Sequence, residues 1–312
     1  MSIRAAVIDN AAWAGAQPLM SVLTPFLRDD PTELLTVLDS EAGLLGGRAE
    51  VVLLDDGTGD PALTDRLTAQ VKVMALPMRL ITLAANEGRA IGRNRLAAAA
   101  RGGSLLFLDS DMRPDRPGFL RRWTELVERE SPAVAFGGFS LLQAPTDRRF
   151  AVHRSMAAKA ECVPPDERAK QPEKYVYTSN LLVRRDVFDA ETFDPGFSGW
   201  GWEDVEWAMR VSRRFRVDHV DNPATHMGLD TVPALARKYE QSAPNFARMA
   251  QRHPETVSNW PSYRAARLLK RLPGLAWLRG GMRGAAEAAW LPVPARAFSL
   301  RLYRAALYAE AV

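Results

Sequence analysis

One cysteine, Cys162, occurs in 312 residues. No internal disulfide can form, so cross-links are excluded as a source of stability, and the chain fits a reducing compartment, the cytoplasm. Long apolar runs are missing as well. None reaches the roughly 18 residues that a bilayer span requires, and the apolar stretch at residues 5–8 is cut by Asp9, too early for the core of a secretion signal. Internal repeats and low-complexity tracts are absent. So is the dinucleotide fingerprint, because Gly88 and Gly92 do not match its glycine spacing. Only four histidines occur, His153, His219, His226 and His253. What is present is a 47% hydrophobic composition, enough for a sizeable core plus an appendage.

The formal charge of +4 is unevenly spread. Residues 261–312 carry nine Lys and Arg against Glu287 and Glu310, a balance of +7 that leaves −3 on residues 1–260. Leu268, Leu269, Leu272, Leu275, Trp277 and Leu278 are interleaved with these cations. That pattern suits a basic amphipathic element on an anionic membrane surface. It equally suits helices packed on the main domain with Arg on their solvated face. No nucleic-acid-binding motif accompanies the cations, so no nucleic-acid partner is expected.

Strand and helix patterns alternate through the first half. Strands are predicted at residues 20–25, 50–54, 79–84 and up to Asp109, and helices at 31–45, from Pro61, and from Asn86-Glu87-Gly88 through Arg101. This alternation predicts a largely parallel central sheet with helices on both faces. The second half is less regular. Residues 132–142 and 175–183 read as strands separated by a long polar connection of the functional or mobile kind. A Gly- and aromatic-rich loop at 193–202 precedes a helix at 203–215, a strand at 216–220, and a helix at 232–252. Residues 1–260 thus read as one domain, with a nucleotide-binding half at about 20–112, an acceptor-binding half at 113–230, and a basic helical tail at 261–312.

The strand that ends in Asp109-Ser110-Asp111 carries two carboxylates one residue apart. Side chains alternate along an extended chain, so both project beyond the carboxyl edge, where open α/β sheets bind ligands. A divalent cation or a set of sugar hydroxyls would relieve their repulsion. The same tripeptide also reads as a polar turn. Asp55-Asp56-Gly57 repeats the pattern, with acceptors for a uridine-like ligand and a glycine for close approach, or it is a plain Asp-Gly turn. Helix amides near Gly88 favour an anion, with Arg93 and Asn94 on the same helix. In Gly199-Trp200-Gly201-Trp202-Glu203-Asp204, Trp200 and Trp202 offer flat faces for a sugar ring, unless they belong to the core. Glu203 and Asp204 fall in a first helical turn, kept ionised by the helix dipole and ready to accept a proton. His226 would bring an imidazole to a metal held by Asp111, a mixed set that suits manganese better than magnesium.

In that order, with Thr178-Ser179-Asn180 between, these motifs resemble family 2 glycosyltransferases of the GT-A fold over about residues 20–250. The last block resembles the Gly-Trp-Gly-x-Glu-Asp segment of the galactosyltransferase and N-acetylgalactosaminyltransferase branch, although Trp202 stands where small or varied residues are common and Val205 interrupts the acidic run. The resemblance implies a Rossmann-like α/β domain and inverting, metal-dependent transfer from a UDP-sugar to a glycan or lipid-linked acceptor. A bacterial surface polysaccharide made at the inner face of the cell membrane is the implied setting. It also implies Asp204 as base and Glu203 as a sugar contact, with Mn2+ or Mg2+ held by Asp111 and His226. Donor contacts would come from Pro25, Asp55, Asp56, Asn86, Gly88, Arg93, Asn94, Asp109 and Ser110, and acceptor or sugar contacts from Trp200, Gly201 and Trp202. Two alternatives stay open. A sugar nucleotidyltransferase would need a Gly-rich, Arg-containing loop where Pro25-Phe26-Leu27-Arg28 stands, and a non-catalytic sugar-nucleotide scaffold would bind without transferring.

Overall fold

Residues 51–54 and 105–108 are unbroken apolar runs, and both form the middle of strands buried on both faces. The computed structural model describes residues 5–312. Its strands are β1 (Ala5–Asp9), β2 (Met20–Phe26), β3 (Ala49–Asp55), β4 (Met78–Leu83), β5 (Ser104–Leu108), β6 (Met112–Pro114), β7 (Val134–Phe136), β8 (Phe139–Ser140), β9 (Asn180–Arg184), β10 (Val217–His219) and β11 (Ala224–His226). An eight-stranded sheet runs β1-β4-β3-β2-β5-β9-β7-β10. β4, β3, β2 and β5 are parallel, whereas β1, on the β4 edge, and β9, beside β5, are antiparallel to their neighbours. The sheet is therefore mixed, with the predicted parallel strands as its centre.

Period-two alternation splits the side chains of each central strand between two cores. Val51, Leu53, Leu106 and Leu108 meet the helices Thr32–Asp39, Pro61–Val73 and Phe119–Glu130. Val52, Leu54, Leu105 and Phe107 meet the helices Arg89–Ala99 and Glu203–Val211 on the opposite face. A third core lies off the sheet. It joins Phe197, Tyr239 and Phe246 to Ala266, Ala286, Leu300 and Tyr308 from the helices Pro261–Leu269, Leu275–Glu287 and Val293–Ala311. The segment after Pro261 thus packs on the domain.

Register decides what meets at the carboxyl edge. Phe26 pairs with Asp55, so β2 and β3 end level, and Leu23 pairs with Phe107, so β5 ends two residues short of them and Asp109 and Ser110 run alongside the end of β2. Because β9 runs the other way, with Asn180 opposite Leu108, the residues before it lie at that same edge. A separate three-stranded sheet, β6-β11-β8, pairs His226 with Met112. That pairing carries His226 to within one residue of Asp111.

Several boundaries differ from the sequence expectations. β1 escaped notice because it is a mostly exposed edge strand with no apolar face to bury. Residues 132–142 divide into β7 and β8 at Gly137-Gly138. The polar connection that follows contains the helix Ala151–Ala160. The helix Val232–Arg252 has the predicted bounds, with the Thr231 hydroxyl accepting from the Ala234 amide as its N-cap. No helix among the described residues is long and apolar enough to cross a membrane.

Candidate active site

A cleft of about 640 Å³ opens at the carboxyl edge, lined by Pro25, Asp56, Arg93, Asp109, Asp111 and Trp200 among others. Asn86, Gly88 and Ser110 also line it, so nine of the sequence candidates meet in one cleft. A second cavity, lined by Pro172, Phe215 and His219, lies apart from all of them.

Asp56 follows the last residue of β3. Its carboxylate accepts from the Glu87 amide at 2.8 Å, the Gly88 amide at 3.1 Å and the Asn86 side-chain amide at 2.8 Å. The helix start at Gly88 was expected to favour an external anion; the anion its amides hold is Asp56 itself. Burial raises the Asp56 carboxyl, and these amides oppose the rise. A carboxylate has about four acceptor positions, so three donors leave room for one more. Gly57 is required here: its φ is +82°, and a Cβ would meet the Ala85 carbonyl carbon and the Asn86 nitrogen at 2.5 Å.

Arg93 joins two carboxylates from distant parts of the chain. Its guanidinium donates to Asp109 at 3.0 Å and to Glu203 at 3.0 Å, and its side chain is only 1% exposed. Arg89, at the start of the same helix, donates to Glu203 at 2.7 Å and lies 3.5 Å from Asp109. Against the cost of burial, the charges of Arg93 and Arg89 and the Ser179 hydroxyl hold Asp109 down to about 2. The same two arginines overcome desolvation at Glu203 and lower it. Glu203 is therefore a fixed carboxylate, engaged by protein donors. Its neighbour Asp204 is not so paired. Burial first, and then the Glu203 charge, push Asp204 up to about 7. The helix dipole was expected to keep Asp204 ionised; desolvation outweighs it, and the group titrates near neutrality. One donor is left over, because the buried Arg93 Nε–H has no acceptor.

Asp111 and His226, the two candidate metal ligands, lie side by side. His226 Nε2 is 3.3 Å from Asp111 Oδ2, and against desolvation that hydrogen bond raises the imidazole pKa. Among the described residues no arginine or lysine pairs with Asp111, unlike Asp109 two residues earlier. A Cβ on Gly228 would meet Asp111 Oδ2 at 2.0 Å, so glycine there admits the carboxylate. A carboxylate and an imidazole side by side without a fixed cation are the donor set of a divalent ion with mixed ligands.

Four candidates take other places. The Asn94 side chain donates to the Phe193 carbonyl at 2.9 Å and accepts the Phe193 amide at 3.1 Å, clipping the loop to the helix instead of facing the cleft. Asp55 is buried and receives the Thr58 amide at 2.8 Å. The Gly201 carbonyl accepts from Asn245 at 2.9 Å. Trp202 stacks on Trp260 with centroids 5.7 Å apart and donates its indole N–H to Tyr308 at 3.1 Å, which puts it in the third core. Trp200 does line the cleft, with the Lys238 ammonium 5.8 Å from its ring. Arg89, Lys238 and Asp29 are cleft residues that sequence reasoning missed. Ser179, quoted in a motif but given no role, donates to Asp109 at 2.8 Å.

The profile of glycosyl transferase family 2 matches residues 21–191, more than half of the chain. Among solved structures, the mannosyltransferase PcManGT from Pyrobaculum calidifontis, in complex with GDP-Man and Mn2+, is 15% identical over 95% of this chain and 88% of its own, with a TM-score of 0.55. S. aureus TarS, residues 1–349, is 16% identical over 91% and 89%, with a TM-score of 0.50. Glucosyl-3-phosphoglycerate synthase from Mycobacterium tuberculosis, in complex with phosphoglyceric acid, is 19% identical over 78% and 82%, also at 0.50. At these identities the likeness is one of fold, the GT-A arrangement of sheet and helices. No curated protein matches the chain by sequence. The profile spans β2 to the end of the helix Arg185–Ala190 after β9, the stretch that carries Asp56, Arg93, Asp109 and Asp111: the chain belongs to glycosyl transferase family 2.

Proposed function

We propose that the chain transfers a hexose or N-acetylhexosamine from a UDP-sugar to an acceptor hydroxyl with inversion. The observation that carries this reading is a single cleft lined by Asp56, Asp109 and Asp111, with Asp204, which titrates near neutrality, next in sequence to Glu203, the partner of Arg89 and Arg93. Asp56 keeps one acceptor position for a base imide, and the free Arg93 Nε–H offers a donor to a sugar or phosphate oxygen. Trp200 supplies an apolar face for the sugar ring. A divalent ion between Asp111 and His226 would supply positive charge against the diphosphate as the sugar departs. Asp204 removes the acceptor proton as that oxygen attacks the anomeric carbon from the side opposite the diphosphate; a base that titrates at about 7 is matched to neutral pH. Pre-set charges in a cleft shielded from water strengthen both contributions.

The test is product formation from UDP-hexoses and UDP-N-acetylhexosamines with Mn2+ and a panel of glycan acceptors. Transfer that falls by roughly 10²–10⁴ in Asp204→Asn, with UDP binding kept, supports the assignment. UDP binding without transfer to any acceptor, or full activity in Asp204→Asn, rejects it.

We further assign the acceptor to a lipid-linked glycan on an anionic membrane. Trp277 and Trp290 are each 83% exposed, and Phe298 and Leu268 are also exposed, on a segment of charge +7. Replacing Trp277 and Trp290 by Ser should release the protein from phosphatidylglycerol vesicles while preserving fold and soluble-acceptor transfer. Unchanged flotation would reject the membrane assignment.

A further inference from the structure

The helix Ala151–Ala160 and the residue after it bring two groups to His226 that the proposed reaction does not use. One ring nitrogen each of His153 and His226 and a carboxylate oxygen of Glu161 lie within 4.8 Å of one another. The two imidazoles meet edge to face, with centroids 5.8 Å apart. Glu161 is partly buried, and among the described residues no hydrogen bond reaches its carboxylate. A carboxylate withdrawn from water without a donor is costly. Lys238, the nearby fixed cation, is committed to Asp230 at 2.6 Å. His153 has a different standing. Its Nδ1 accepts the Asp230 amide proton at 2.7 Å, so the neutral ring carries its own proton on Nε2 and acts as a donor, not as a metal ligand.

We propose that Glu161 is a third protein ligand, beside Asp111 and His226, of a divalent cation that this chain takes up before any nucleotide arrives. Two carboxylates and one imidazole form a mixed set that holds Mn2+ in preference to Mg2+, because the imidazole gains more from the transition metal. A corner with only Asp111 and His226 would depend on the diphosphate to complete its ligands. With Glu161 added, the protein alone supplies three. The inference rests on placing the donor cation at Asp111 and His226.

The experiment is Mn2+ binding to the full chain without nucleotide, followed by electron paramagnetic resonance. The wild type should bind one Mn2+, Glu161→Gln should raise the Kd at least tenfold, and the exposed Glu173→Gln should leave it unchanged. The melting temperature in EDTA, equal for wild type and Glu161→Gln, shows that the fold is kept. Pulsed spectra should report one imidazole nitrogen that survives His153→Ala and disappears in His226→Ala. Unchanged Mn2+ affinity in Glu161→Gln overturns the proposal, even if UDP-sugar transfer proceeds and the catalytic reading stands. Glu161-dependent Mn2+ binding in a protein that binds no UDP-sugar keeps this site and rejects that reading.

Discussion

The two sides of the cleft treat their carboxylates in opposite ways. On the side facing the helix Arg89–Ala99, three carboxylates end on built-in donors: Asp56 on three amide groups, Asp109 on Arg93 and Ser179, Glu203 on Arg89 and Arg93. In the corner below β11, Asp111 has only the His226 imidazole, and Glu161 has no donor at all. The first side is a neutralised frame whose job is shape. The second is an uncompensated set whose charge is left for something that binds. Removing a partner should therefore be severe on one side and mild on the other.

The largest effect follows directly. Arg93→Leu takes the buried guanidinium from both Asp109 and Glu203 and leaves them only Arg89 and Ser179; weakening such a buried network costs about 3 kcal/mol, to be read from urea denaturation at pH 7.5. Asp111→Asn, by contrast, removes a charge that no protein cation balances. Its stability without metal should stay within about 1 kcal/mol of wild type. Equal losses in the two variants would erase the distinction between frame and corner.

Next in size is the pH response, because the frame holds one member out of line. Asp204 sits at about 7, above the ordinary carboxyl value, so between roughly pH 4 and 7 the folded state binds more protons than the unfolded one. Stability should fall as pH rises through that window and level off above it. Asp109, held at about 2, acts in the opposite sense: its contribution is complete above the ordinary carboxyl value and is lost as pH falls toward 2. Transfer needs ionised Asp204, so kcat/KM should rise about tenfold per pH unit up to about 7 and then flatten. Asp204→Asn should remove the Asp204 share of this fall, leaving the shares of Asp56, His153 and His226. A stability slope between pH 4 and 7 that is unchanged in Asp204→Asn assigns the titration to another group.

The central strands were legible because a strand covered on both faces reads as an apolar run, and β3 and β5 carry such runs at 51–54 and 105–108. Asp56, Asp109 and Asp111 followed, since each lies just past a strand whose end the pattern marks. His226 is different. It reaches Asp111 through the pairing of β11 with β6, two three-residue strands too short to carry any periodic signal. Asn94 and Trp202 have the chemistry of ligand contacts, but their partners, the Phe193 backbone and Tyr308, come from 99 and 106 residues away, which no local pattern reveals. Arg89 and Lys238 look like ordinary helix-surface cations in sequence. Only the assembled cleft separates them from the rest.

The smallest effect lies where the third core touches the frame. Trp202 has φ of +78°, a costly backbone for a bulky residue, and it is the N-cap of the helix that opens with Glu203 and Asp204. Its indole N–H donates to Tyr308, whose hydroxyl is 3.1 Å from Ser242 and whose ring stacks on Phe246 at 4.2 Å. Tyr308→Phe keeps the stack and removes both polar contacts, so the expected cost is about 1 kcal/mol, measurable as a fall of a few degrees in melting temperature. If the C-terminal helix props the strained turn, kcat should fall while KM for the donor stays fixed, because the donor wall is built from β2, β3 and β5. A loss confined to donor KM would mean that the helix Val293–Ala311 acts on the frame and not on the turn that presents Asp204.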